Sequence, residues 1–208
     1  MVGGGSGRRF GSLKQYESLG GGTRVIDRSR AVAQAACDGV VVVVPSDDVD
    51  REGGVAGGAT RSESVRAGLA QVPDEASVVC VHDAARPFAT TDLYRRVIEA
   101  VRAGADGAIP VVGVTDTIKI VDRDGTVVAT PERAALVAVQ TPQAFRADVL
   151  RAAYASGDTA TDDAALVEAI GGRVVTVPGD ERNRKITRPD DLDWARRLVA
   201  EETSGART

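Results

Sequence analysis

Short runs of consecutive apolar residues alternate along the chain with stretches whose apolar positions return every three or four residues. The runs are Val40–Val44, Val78–His82, Ala108–Val112, Ala138–Thr141 and Arg173–Val177. A strand that is apolar on both faces is one covered by helices on both sides, so these five read as interior strands. The stretches between them predict helices over Thr23–Ala36, Ser62–Gln71, Thr91–Ala103, Arg146–Ala155, Thr161–Ile170 and Pro189–Glu201. Asp190 and Asp191 fall in the first turn of the last helix, where the helix dipole favours negative charge. Strand and helix in alternation predict a three-layer α/β architecture with a mostly parallel sheet.

One segment interrupts the alternation. Thr117–Val121 and Thr126–Thr130 flank Asp122-Arg123-Asp124-Gly125, and Asp-Gly between two β-rich runs marks a hairpin. It reads as an arm, about residues 115–135, projecting from the sheet and suited to subunit contacts. The remainder is a single domain over residues 1–202, with a frayed tail over 203–208. The start is unusual. A Gly-rich loop in such a fold follows a strand, yet only Met1 and Val2 precede Gly3. The first strand is therefore expected to be truncated, its slot in the sheet empty or filled from elsewhere.

Composition narrows the possible functions. Aromatic residues are 3% of the 208, too few for base-stacking platforms on single-stranded nucleic acid. The net charge of −4, with both signs interspersed, gives no nucleic-acid or membrane footprint. There is one histidine, which excludes a multi-histidine metal site. No apolar run reaches the length of a membrane span and no signal peptide is visible, so the cytoplasm is the expected compartment. Cys37 and Cys80, distant in sequence and each in an apolar setting, read as reduced, buried small residues.

Four segments carry candidate chemistry. In Gly3-Gly4-Gly5-Ser6-Gly7-Arg8-Arg9-Phe10, followed by Lys14-Gln15, successive glycines let backbone N–H groups surround phosphate oxygens. Arg9 and Lys14 supply charge to neutralise a polyphosphate, which argues against a plain flexible linker. Neither an intact G-x-G-x-x-G nor a Walker loop is present, which disfavours dinucleotide dehydrogenases and P-loop enzymes. His82-Asp83-Ala84-Ala85-Arg86-Pro87 ends a buried strand, where open α/β sheets place ligands. Asp83 there suits Mg²⁺ bridging phosphates or, more plainly, a turn cap, and His82 reads as a packed ring. In Gly57-Gly58-Ala59-Thr60-Arg61-Ser62-Glu63-Ser64, the glycines expose backbone to a base edge and Ser64 adds a hydroxyl. Ser62 is the alternative there, as a helix N-cap. In Asn183-Arg184-Lys185-Ile186-Thr187-Arg188-Pro189, Lys185 is either a site cation at the strand-end crevice or a solvated loop charge.

Taken together these segments resemble the 2-C-methyl-D-erythritol 4-phosphate cytidylyltransferase family. GGGSGRRF with KQY, GGATRSESVRAGL, HDAARP, VTDTIK, QTPQAF, TDDA and NRKITRPDDL occur in the family's order from Gly3 to about Val199. Leu13 stands where the family usually has Pro, and Arg9 and Lys14 lie about two residues closer together than usual. The resemblance implies a Rossmann-like nucleotidyltransferase fold. It also implies an enzyme that couples CTP to a polyol phosphate and releases pyrophosphate, in isoprenoid precursor synthesis. It further implies catalytic roles for Arg9, Lys14 and Lys185 around the triphosphate. Nucleotide contacts are implied at Gly3, Gly4, Gly5, Gly57, Gly58 and Ser64, and Mg²⁺ at Asp83. Arg86, Thr117, Arg133 and Thr141 are implied to hold the substrate phosphate, and the arm to build a homodimer in which Arg133 reaches the neighbouring site. Ribitol 5-phosphate as acceptor, and a non-catalytic nucleotide-binding protein, are the alternatives.

Overall fold

The computed structural model describes residues 1–4, 13–155 and 157–205. In chain order the elements are β1 (Ser18–Gly20), β2 (Thr23–Arg24), α1 (Val25–Ala36), β3 (Val43–Val44), α2 (Val49–Glu52), β4 (Val55–Ala56) and α3 (Arg61–Leu69). There follow β5 (Val78–Val81), α4 (Thr91–Arg102), β6 (Gly107–Gly113), β7 (Ile120–Val121), β8 (Val127–Ala129) and β9 (Val137–Val139). The chain closes with β10 (Gln143–Arg146), α5 (Ala147–Ala155), α6 (Asp163–Ala169), β11 (Val174–Pro178) and α7 (Pro189–Gly205).

The central sheet runs β11-β6-β10-β5, and Val2 bridges the end of β5 at Asp83 to β3 at Val43, parallel to both. Beyond β3 lies β4, again parallel. β11 pairs with β6 in parallel, whereas β10 runs antiparallel to both β5 and β6. The sheet is therefore mostly parallel, with β10 and β9 both running antiparallel to β6. Two apolar layers cover it. Leu150, Tyr154, Leu166 and Val167 from α5 and α6 meet Val79, Val81 and Phe145 on one face. Val97 and Val101 of α4 cover Ala108 and Ala144 on the other, while Leu93 and Tyr94 meet Ala33 of α1. A third cluster seats Leu192 and Ala195 of α7 against Leu19, Val25, Phe88 and Ile186.

Several expected boundaries shift for local reasons. Thr23 and Arg24 do not begin a helix: they pair with Ser18–Gly20 through a turn at Gly20, Gly21 and Gly22, all at positive φ. Helix α1 starts at Val25, where the Asp27 carboxylate accepts the Arg24 backbone N–H at 3.0 Å. Of the run Val40–Val44, only Val43 and Val44 form a ladder. β10 lies in a segment read only as a motif. Its four residues include polar Gln143, and no periodicity emerges from so short a run. Phe145 of β10 lies against Gly107, where any Cβ would sit 2.7 Å from the ring. The tail expected to fray from Thr203 is helical through Gly205, with the Thr203 and Ser204 hydroxyls donating to Val199 O and Ala200 O.

The arm forms as a two-stranded ribbon of β7 and β8. Its turn is held by Asp122 Oδ1, which accepts the N–H groups of Asp124 and Thr126, and by Gly125 at φ +81°. Ile118, Ile120, Val121, Val127 and Val128 are exposed along it.

Candidate active site

The site is built where Val2, β3 and β5 end together, and loops from four distant parts of the sequence meet there. A Cβ on Gly4 would stand 3.3 Å from Ser64 Oγ and 3.6 Å from the Gly57 Cα. One on Gly57 would be 2.8 Å from the same hydroxyl. Two glycine backbones and a serine hydroxyl thus form one wall with no side chain between them. Ser64 Oγ accepts the Gly58 N–H at 3.1 Å and donates to Thr60 O at 2.9 Å. Thr60, rather than Ser62, caps α3: its hydroxyl accepts Glu63 N–H at 3.1 Å while the Glu63 carboxylate takes Thr60 N–H at 3.1 Å. Ser62 lies buried inside the first turn.

Asp83 follows β5, where Val2 bridges to it. Lys185 Nζ contacts its Oδ2 at 2.5 Å across 102 residues of sequence. Arg61 Nε reaches its Oδ1 at 3.2 Å. Burial alone would raise the Asp83 pKa, but the charges of Lys185 and Arg61 outweigh it and hold the carboxyl well below the usual range. Arg61 continues the chain of contacts, its Nη2 meeting Asp163 Oδ2 at 2.7 Å, and Tyr154 donates its hydroxyl to Asp163 Oδ1 at 2.5 Å. Burial works against the Arg61 charge, yet Asp163 and Asp83 outweigh it and its pKa is raised.

Asp83 is aimed by a chain of neutral hydrogen bonds. Its backbone N–H donates to Thr141 Oγ1 at 3.0 Å, and that hydroxyl lies 3.1 Å from His82 Nδ1. His82 Nε2 is 3.2 Å from the Arg86 carbonyl, which can only accept, so Nε2 carries the proton and Nδ1 takes the Thr141 proton. His82 is 1% exposed, and burial lowers its pKa to about 3, so it is a neutral structural ring. Arg86 donates to the Asn183 and Val139 carbonyls at 2.8 and 3.2 Å, and burial lowers its pKa. Its Nε, buried, has no protein partner.

Lys185 is delivered by a clamped loop. Asn183, wholly buried, donates to the Thr141 carbonyl at 2.9 Å, and Ile186 N–H donates to Ala85 O at 2.8 Å. The segment around Lys185 is thereby fixed against the segment that carries Asp83.

The expected residues therefore divide. Gly4, Gly57, Gly58 and Ser64 form one contact group, Asp83, Thr141 and Lys185 form another that Arg86 joins through Asn183, and Gly3 lies beside Ala84 between them. Gly5 and Arg9 lie outside the described residues. Lys14 opens a short 3-10 turn, Lys14–Tyr16, packed on α1. Thr117 and Arg133 lie exposed in the arm region, and Arg133 Nη1 donates to Thr115 O at 2.9 Å. Arg61, Asp163 and Asn183 were not anticipated. Their only sequence signal was membership of the GGATR, TDDA and NRK motifs, because ion-pair partners 22 and 102 positions apart leave no local pattern. Among the described residues no three His, Cys, Asp or Glu side chains cluster as metal ligands.

A mostly parallel sheet with glycine backbones and a cation–carboxylate pair at its strand ends fits an enzyme of the nucleotidyltransferase class. Comparison with known proteins makes this specific. The family model for 2-C-methyl-D-erythritol 4-phosphate cytidylyltransferase matches residues 1–201. A Rhodococcus jostii protein of that name is 48% identical over 209 residues, covering 95% of this chain and 92% of the relative. The crystal structure of the Thermus thermophilus cytidylyltransferase superposes with a TM-score of 0.82 at 34% identity, covering 96% of this chain and 97% of that one. A 4-diphosphocytidyl-2C-methyl-D-erythritol synthase structure from Anaerococcus prevotii gives a TM-score of 0.84 at 28% identity, covering 96% and 93%. The chain belongs to the 2-C-methyl-D-erythritol 4-phosphate cytidylyltransferase family.

Proposed function

We propose that the chain transfers the cytidylyl group of CTP to 2-C-methyl-D-erythritol 4-phosphate and releases pyrophosphate, a step of isoprenoid precursor synthesis. The observation that carries this reading is the Lys185–Asp83 contact, at the end of β5 that Val2 ties to β3 beside the glycines Gly3 and Gly4. In the proposed step an oxygen of the acceptor phosphate attacks the α-phosphorus of CTP. The bond to the bridging oxygen breaks, and pyrophosphate leaves with that oxygen. A phosphate monoester is already an anion near neutral pH, so the chemistry requires cations and alignment more than a base. The neutral, enclosed His82 agrees with this. Lys185, with Arg9 and Lys14, neutralises charge on the triphosphate. The backbones of Gly3 and Gly4 lie along the nucleotide, a role the family resemblance extends to Gly5, while Gly57, Gly58 and Ser64 select the base. Arg86 and Thr141, with Thr117 and Arg133, form the acceptor side.

Cytidylyl transfer is generally metal-dependent, and Mg²⁺ is the ion this site suits. Asp83 is a carboxylate kept ionised by its neighbours, and among the described residues no cluster of further acidic, His or Cys ligands surrounds it. That donor set fits an ion held mainly by phosphates and water. When bound, the ion would neutralise phosphate charge, and Asp83 is the residue that would hold it. The exposed apolar side chains of the arm support a homodimer formed through it. No helix among the described residues is long and apolar enough to cross a membrane, and the cytoplasm is the compartment this reading assigns.

The named relatives favour methylerythritol phosphate over ribitol 5-phosphate as acceptor, and the assembled cation–carboxylate crevice argues against a non-catalytic protein. The test is to incubate the protein with Mg²⁺ and CTP plus either polyol phosphate and measure pyrophosphate. Release with methylerythritol phosphate alone is expected, and no release with either acceptor would refute the reading.

A further inference from the structure

Two cations share one carboxylate at the end of β5. Arg61 Nε meets Asp83 Oδ1 at 3.2 Å, and Lys185 Nζ meets Oδ2 at 2.5 Å. The proposed reaction gives Lys185 to the triphosphate and leaves Arg61 without a task. We propose that Arg61 is a positioning residue for that reaction: anchored on Asp163, it holds Asp83 by one oxygen so that Lys185 can leave the other for the incoming triphosphate. This role depends on Lys185 serving the triphosphate.

The two cations are held differently. Arg61 opens α3, and the start of that helix is fixed by the reciprocal bonds of Thr60 and Glu63. Its guanidinium spans two carboxylates, with Nε on Asp83 and Nη2 on Asp163 Oδ2 at 2.7 Å. Asp163 is wholly buried at the start of α6, and its other oxygen takes the Tyr154 hydroxyl of α5. Tyr154 in turn lies under the Arg66 guanidinium of α3, 5.7 Å from the ring centre. Three helices therefore meet behind Arg61, and a planar fork gripped at two points has little freedom left. Lys185 presents a compact charge on a flexible four-carbon stem, and its side chain is 36% exposed against 26% for Arg61. Its loop is clamped through Asn183 and the Ile186 backbone, so the stem moves more readily than the loop.

Charge decides the consequence. Asp83 and Asp163 balance Arg61 and Lys185, two carboxylates against two cations. The Asp83 side chain is too enclosed for water to compensate a bare carboxylate. With Lys185 as its sole counter-charge, drawing the ammonium away would strand a buried anion, and Asp83 would compete with the triphosphate for Lys185. With Arg61 in place, Asp83 keeps a hydrogen-bonded cation after the ammonium departs. Arg86 directs its Nη groups to the Asn183 and Val139 carbonyls, so it does not take that place.

The experiment measures CTP affinity by calorimetry on the full chain, with Mg²⁺ present throughout. Arg61→Met alone strands Asp163, so the anchor is removed as Arg61→Met with Asp163→Asn, and circular dichroism verifies the fold. This anchor variant is expected to bind CTP roughly tenfold more weakly than the parent, within the range of couplings inside one ion network. Adding Lys185→Ala to it is expected to give an affinity within about twofold of Lys185→Ala alone, because Arg61 acts through Lys185. Arg61→Lys, which keeps a cation beside Asp83, is expected to stay within about threefold of the parent. An anchor variant that binds like the parent would overturn the proposal, as would an Arg61→Lys variant as weak as the anchor variant. Losses that multiply when Lys185→Ala is added would overturn it while leaving the role of Lys185 intact. CTP affinity untouched by Lys185→Ala itself would remove that role and the proposal with it.

Discussion

Replacing Arg61 by Met isolates the ion network under the site. The guanidinium bridges Asp83 and Asp163, whose side chains are 11% and 0% exposed, and is itself 26% exposed. Met preserves much of the apolar stem, so the change removes charge and hydrogen bonds more than volume. Asp83 then keeps Lys185, but Asp163 keeps only the Tyr154 hydroxyl among the contacts described above. Breaking a buried pair by removing one partner costs about 3–5 kcal/mol, because the remaining charge stays desolvated and uncompensated. For a chain of this size that corresponds to roughly 6–20 °C in melting temperature. Urea denaturation at pH 7 measures the loss directly. Adding Asp163→Asn removes the stranded charge, so the double variant is expected to recover about 2 kcal/mol relative to Arg61→Met alone. A loss below about 1 kcal/mol for the single variant, or a double variant no more stable than the single, would refute the account.

Three further outcomes follow from the same geometry. Lys185→Ala is expected to lower the rate of pyrophosphate release roughly 10²–10³-fold in protein that is still folded by circular dichroism, and a rate within twofold of the parent would remove Lys185 from the mechanism. Gly57→Ala places a methyl 2.8 Å from Ser64 Oγ and should weaken CTP binding by calorimetry while leaving acceptor binding intact. His82 titrates near 3 when folded and near 6.5 when unfolded, so the unfolded chain binds more protons between those values. Stability should therefore fall as pH drops from 6 to 4.5, by up to ~1.4 kcal/mol per unit from this ring. His82→Gln should flatten that slope in urea titrations.

The sequence by itself determined the layers. Runs such as Val78–Val81 are apolar on both faces, and helices such as Thr91–Arg102 are amphipathic, because burial imposes those periods locally. The arm was legible for the same reason, since Asp122 and Gly125 act within a few residues. Glycine pairs, the HDAARP segment and the NRK motif pointed by residue type and order to the family resemblance that implies a nucleotide site. Only the tertiary structure decided which groups meet. It set β10 between β5 and β6 against the direction of both, because a four-residue strand takes its place from its neighbours. It joined Arg61 to Asp163 and Asn183 to Thr141, and it turned His82 inward as a neutral prop. It also brought Cys37 beside Cys80 in a cleft lined from α1, α3, α4 and β5 among others. Electrostatic contact and main-chain pairing depend on distance in space, and separations of 40 to 100 residues leave no trace in local periodicity.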